Sequence, residues 1–113
     1  VAKTNLRKQK SKSKLQIIFD EGTKFVCKSF IAFYLPSELF SSTIIASKKV
    51  GNSVKRSRAK RRLREILRLQ IKTTGSSIRL ILIARHETGQ IDYSLLLRDS
   101  NNLVRKIKHS TTA

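Results

Sequence analysis

Apolar residues recur along this chain with two periods, and the switches between them mark its elements. Ser13-Lys-Leu-Gln16 has the form of a capping box, a Ser followed three residues later by Gln. Leu15, Ile18 and Phe19 follow at helical spacing, and Gly22 stands where a helix C-terminus favours glycine. The pattern predicts a short helix over Ser13 to Glu21. Lys24 to Leu35 is rich in aromatic and β-branched residues and reads as one strand ended by Pro36-Ser37. Alternation places Phe25, Cys27, Ser29, Ile31 and Phe33 on one face. Lys24, Val26, Lys28, Phe30, Ala32 and Tyr34 fall on the other. Ser42 to Ser47 predicts a second strand, and the span from Leu35 to Ser47 has room for an additional short one.

From about Ser57 to Lys72 the period becomes helical. Ala59, Leu63, Ile66 and Leu67 share one arc, while Arg58, Arg61, Arg62, Arg68 and Lys72 lie opposite. Arg56 would fall under the apolar arc in an earlier start, so the helix is expected to begin at Arg56 to Ser57. Thr73 to Ser77 reads as a loop, Ile78 to Ala84 as a buried strand and Arg85 to Gln90 as a turn. Asp92 is a plausible N-cap for a last helix with Leu96, Leu103 and Ile107 on one face, weakened in its middle by Asn101-Asn102. These elements make an α+β protein, an α/β sandwich of one sheet with helices against it.

Charge changes the picture more than any other property. The chain carries 25 Lys and Arg against 7 Asp and Glu, a formal net charge of +18. Self-repulsion at this charge opposes compaction, so a polyanionic partner is expected. At 113 residues with 39% hydrophobic content the chain can build one core, hence one domain over 1–113. Residues 1–12 read as a flexible basic arm and 109–113 as a flexible tail. Cys27 is the only cysteine, which suits a reducing compartment. No run approaches the roughly 20 apolar residues of a membrane span. The basic N-terminus lacks the apolar segment of a signal peptide. The expectation is a cytoplasmic protein with no membrane partner and no implied oligomer.

The cations concentrate between Lys48 and Glu65. Lys48, Lys49, Lys55, Arg56, Arg58, Lys60, Arg61, Arg62 and Arg64 stand against the single acid Glu65, which is expected to pair with neighbouring arginines. A solvated helix face normally mixes signs; here repulsion between turns is almost unrelieved. Gly51 permits a tight turn, and a helix start offers unpaired N–H groups and a positive dipole end to a phosphate. The segment therefore reads as a surface for nucleic acid. The candidate RNA-binding residues are Lys48, Lys49, Asn52, Lys55, Arg56, Ser57, Arg58, Lys60, Arg61, Arg62, Arg64 and Arg68. A second candidate, a cleft for single-stranded nucleic acid, comes from Phe30 and Tyr34 with Lys24 and Lys28, and Phe19 on the preceding helix. Phe33, on the opposite face, is the alternative contact; core packing is the competing role for all these aromatics.

Protein-borne catalysis finds little support. His86 and His109 have no partners at metal-ligand spacing, and neither a nucleophile elbow nor a Gly-rich phosphate loop is present. Asp20-Glu21 reads as an exposed pair at a helix end. Cys27 reads as a small apolar residue of the sheet.

The basic segment also resembles the signature of the bacterial ribonuclease P protein family, Lys-Lys-x-Gly-x-Ala-Val-x-Arg-Asn-Arg-x-Lys-Arg-x-x-Arg-Glu. Lys48, Lys49, Gly51, Val54, Arg56, Arg58, Lys60, Arg61, Arg64 and Glu65 are in register with it. Ser53 stands where Ala is usual and Ser57 where Asn is usual. The resemblance extends to Leu15–Phe19 with Gly22, to the aromatic strand, to Ile78–Arg85 and to Asp92-Tyr93. It implies an α-β-β-β-α-β-α fold with a left-handed crossover through the basic helix. It further implies a protein subunit that contacts a catalytic RNA through the basic motif and binds the 5′ leader of precursor tRNA. The leader cleft would comprise Phe19, Lys28, Phe30, Phe33 and Tyr34. The RNA would carry the chemistry, magnesium-dependent endonucleolytic removal of the leader, with Mg2+ held mainly by the RNA. Two other readings compete: a ribosomal-type RNA-binding protein without enzymatic role, and a helix-turn-helix DNA binder. The second is disfavoured because the segment before the basic helix reads as a strand.

Overall fold

The computed structural model describes residues 14–72 and 77–112. In chain order these form α1 (Lys14–Glu21), β1 (Thr23–Val26), β2 (Phe30–Pro36), β3 (Ser41–Ile45), a 3-10 turn (Lys48–Val50), α2 (Ser53–Ile66), β4 (Ile78–Ala84) and α3 (Tyr93–Thr112). The strands make one sheet in the order β1-β2-β4-β3. β2 runs antiparallel to both β1 and β4, and β3 runs parallel to β4. Adjacent parallel strands need a long connection, and α2 supplies it. The expected element order and α+β class are observed.

One sheet face carries the core. Phe30, Ala32 and Tyr34 of β2 and Leu80 and Leu82 of β4 point to it. Ala59, Leu63 and Ile66 of α2 and Leu96, Leu103 and Ile107 of α3 cover them, all buried. Each helix meets the sheet along the arc that its sequence period marks. The other face is partly covered by α1, where Ile18 is buried and Phe19 meets Phe33 edge to face at 4.9 Å. Gly22 follows α1 without a positive φ. Its requirement is closeness: a Cβ there would collide with the Ile18 carbonyl and lie 2.9 Å from that of Tyr34.

Three sequence-based boundaries need correction. The single strand expected from Lys24 to Leu35 is a hairpin, β1 and β2, broken at Cys27 to Ser29. The Cys27 N–H donates to the Phe30 carbonyl at 3.0 Å to close the turn. Buried Ser29 is held from afar, its Oγ donating to Asp99 Oδ2 at 2.6 Å and its N–H to the same oxygen at 3.2 Å. The missing strand therefore arises here and not between Leu35 and Ser47. Second, α2 begins at Ser53 because Asn52 caps it, its Oδ1 accepting from the Lys55 N–H at 2.9 Å. Arg56 thus lies inside the helix, half-buried, and not at its mouth. Beyond Ile66 the helix widens into a π-helical turn over Leu67–Ile71. Third, α3 runs unbroken through Asn101 and Asn102 and on to Thr112, so the segment read as a tail from His109 is helical to that point. Ser13 and the basic arm lie outside the described residues.

Candidate nucleic-acid interface

Local backbone geometry builds the basic surface in two steps. Ser47 caps the 3-10 turn, its side chain accepting from the Lys49 N–H at 3.3 Å. Gly51 then takes φ 139°, a value that side chains rarely permit, and turns the chain into the Asn52 cap. Lys48 and Lys49 are thereby set beside the first turn of α2. Lys55, Arg58, Arg61, Arg64 and Arg68 are exposed, as are Asn52 and Ser57, while Lys60 and Arg62 are half-buried. Glu65 is exposed in the recess lined by Arg61, Arg64 and Arg68. It forms no ion pair with them, contrary to the sequence expectation. The exposed cations are uncompensated. Val54, 66% exposed, sits among them with Ser53, Ser57, Arg58 and Arg61.

Two of the arginines behave differently from the rest. Arg62 turns away from the open surface: its Nη1 donates to the carbonyls of Thr88 at 3.0 Å and Ile91 at 2.6 Å. It pins α2 to the loop between β4 and α3, so one of its nitrogens is already committed to the fold. Arg56 has a buried Nε with no hydrogen-bond partner, the sole such side-chain atom among the described residues.

A buried polar network lies behind this loop and has no local signature in the sequence. The Thr88 Oγ1 donates to the Ser29 carbonyl at 2.6 Å and accepts from the Arg85 N–H at 2.7 Å. Arg85 Nη1 in turn donates to the Cys27 carbonyl at 2.9 Å. Ser29, Thr88 and Asp99 are all buried and all partnered, so the network satisfies the groups it desolvates. Cys27 lies at its edge, its thiol donating to the Phe30 carbonyl at 3.1 Å. Burial pushes that thiol up from 9.0 to about 11, with the Asp99 charge a smaller contribution in the same direction. The cysteine is a poor nucleophile there.

The aromatic cleft is divided by the hairpin. Phe30 is 0% exposed and Tyr34 2%, both under α2 and α3, so neither ring is open to a nucleic acid. The turn at Cys27 to Ser29 reset the alternation, which is why the face assignment made across it fails. Phe33 takes the open face instead, with Phe19 against its ring and Lys24 Nζ 5.7 Å from its centroid. Lys28 is exposed at the hairpin turn. Beside Phe33 a row of apolar side chains crosses all four strands in register, Val26, Ile31, Ile83 and Ile45. Val26 is exposed and the other three are half-buried. Among the described residues no group of three or more His, Cys, Asp or Glu is gathered to hold a metal ion. No described helix is long and apolar enough to cross a membrane.

The order of elements also removes the helix-turn-helix reading, because α2 follows a strand and a 3-10 turn. Comparison with known proteins agrees with the motif. The Ribonuclease P family profile matches residues 4–108. The ribonuclease P protein component of Natranaerobius thermophilus is 37% identical over 93 residues, 80% of this chain and 81% of its own length. That of Acholeplasma laidlawii is 31% identical over 101 residues, 88% of this chain and 87% of its own. The fold is shared with the ribonuclease P protein of Thermotoga maritima, at a TM-score of 0.70 and 21% identity, over 82% of this chain and 90% of that one. With its motif, its fold and nearly its whole length in agreement, the chain belongs to the ribonuclease P protein component family.

Proposed function

We propose that this chain is the protein subunit of a ribonucleoprotein endoribonuclease in which the RNA carries the chemistry. The protein binds the catalytic RNA and the 5′ leader of precursor tRNA, in the cytoplasm, and Mg2+ is held mainly by the RNA. The observation that carries the reading is the uncompensated cationic surface of α2 and its preceding turn, Lys48 to Arg68, in register with the family motif. Phosphates supply the charge that Glu65 does not, and guanidinium groups suit them geometrically. Movement of Arg56 onto a phosphate would also relieve its unpaired Nε, since a buried unmet donor costs free energy. The leader lies best across the open sheet face. Bases stack on Phe19 and Phe33 and pass over Val26 and Ile31, while Lys24 and Lys28 follow the backbone.

Substrates with and without a leader test this division. Phe33→Ala should weaken binding of precursor tRNA to the assembled ribonucleoprotein by roughly tenfold, as loss of one stacked base at about 1–3 kcal/mol implies. Binding of tRNA without a leader should not change. Equal losses for both substrates would remove the leader from this face.

A further inference from the structure

The basic helix has a second groove, at its far end from the motif's start. One wall is β3, an edge strand whose outer side pairs with no other strand among the described residues. Ser41 and Ser42 are exposed there, with half-buried Phe40 just before them. The other wall is the later part of α2 and its π-helical turn, which presents Arg64, Arg68 and Lys72 above Leu67. The groove encloses about 370 Å³. Across the π-helical turn Leu67 and Ile71 stay in the core while Arg68 and Lys72 both remain exposed. No acid lines the groove, and none of the three cations forms an ion pair.

An exposed edge strand is normally blunted by its own charges or a proline. β3 has neither; its sequence is Ser-Ser-Thr-Ile-Ile. What guards it is a row of cations on a neighbouring helix, and such a row attracts a polyanion. An acidic peptide added to the β3 edge would fit the backbone, but the same helix carries the RNA motif, and Arg64 and Arg68 belong to both surfaces. We propose that this groove is a second docking surface for the catalytic RNA and takes a single-stranded stretch of it. Phosphates lie along Arg64, Arg68 and Lys72. The Ser41 and Ser42 hydroxyls meet ribose 2′-OH or phosphate oxygens, and a base packs on the open part of Phe40. The half-buried Phe40 ring offers stacking only to a base free of a duplex, so the occupant is single-stranded. The proposal rests on the reading of the chain as a ribonuclease P subunit.

The test uses the full chain and the catalytic RNA from the same source, with affinity measured over a range of salt. Ser42→Glu places an acid on an exposed edge position and should weaken binding tenfold or more. Lys72→Gln should weaken it several-fold and flatten the log–log salt dependence by about 0.7, the value for one single-strand phosphate. Arg105→Gln, exposed on α3, controls for net charge and should bind as wild type. Arg58→Gln, at the motif, reports on the parent reading. Thermal melting confirms that each variant is folded. If Ser42→Glu and Lys72→Gln bind as wild type while Arg58→Gln is weakened, the groove proposal is overturned and the parent reading stands. If all of them bind as wild type, both fall. Weakened binding of precursor tRNA to the protein alone, with unchanged binding of the catalytic RNA, would assign the groove to substrate and overturn the proposal. So would unchanged RNA affinity together with binding of an acidic peptide.

Discussion

Single residues in this protein separate by what their polar atoms already hold. Arg61 and Arg62 are neighbours in one cationic run, yet Arg61 is exposed and unpaired while Arg62 binds two carbonyls of the β4–α3 loop. Arg62→Leu should therefore cost about 1.5–3 kcal/mol of stability, the range for hydrogen bonds to a charged group, and leave the salt dependence of RNA binding unchanged. Arg61→Gln should do the reverse, with a melting temperature near wild type and a salt slope lower by about 0.7–0.9. A flattened slope for Arg62→Leu would place that arginine on the RNA surface as well. Cys27 gives a second residue-scale expectation. Its thiol is raised to about 11 in the folded protein from 9.0, so the neutral form is favoured by folding. The resulting stabilisation is complete below pH 9 and is lost as pH rises through about 11. Alkylation rates in the native protein should rise with a midpoint near pH 11, and in denaturant about two units lower. A native midpoint near 9 would contradict the burial argument.

At the scale of elements, the informative failures of sequence reading have physical causes. Strand β4 and the apolar arcs of α2 and α3 were legible to within a few residues because each buries one face and its period survives in the sequence. The β1–β2 hairpin was not, because Cys27-Lys28-Ser29 contains no Gly, Pro, Asn or Asp, and a lone Ser is a weak turn signal. The turn exists because Asp99, on α3, accepts two hydrogen bonds from Ser29, and Thr88 takes the Ser29 carbonyl. Phe30 and Tyr34 were consequently placed on the wrong face, while Phe33 and Phe19 remained as the open aromatic pair. The tight turn at Gly51 was legible, but the unwelcome position of Arg56 under the apolar arc argued for a later helix start; the Asn52 cap sets it at Ser53. The same network predicts that Asp99→Ala strands the Ser29 N–H and hydroxyl in a buried site. With unsatisfied groups at about 1–3 kcal/mol each, the variant should lose about 3 kcal/mol or more in denaturant unfolding. A loss under about 1 kcal/mol would show that the hairpin turn stands without its anchor.

The whole molecule divides its work between the two faces of one sheet. Helices α2 and α3 close the core face, and α2 carries its cations outward from there. The opposite face, only partly covered by α1, keeps Phe33, Lys24 and an apolar row open. A net charge of +18 and this division offer RNA more than one surface. Charge alone told of a polyanion, and the spaced motif told which family. The position of the open aromatics needed the fold. The central claim is that this protein serves an RNA catalyst. It is tested most directly by cleavage of precursor tRNA at low magnesium, using catalytic RNA from the same source with and without the protein. The account predicts correct removal of the 5′ leader that is strongly stimulated by the protein, and no cleavage by the protein alone. Absence of stimulation by folded, RNA-binding protein would contradict it, as would cleavage by the protein without RNA.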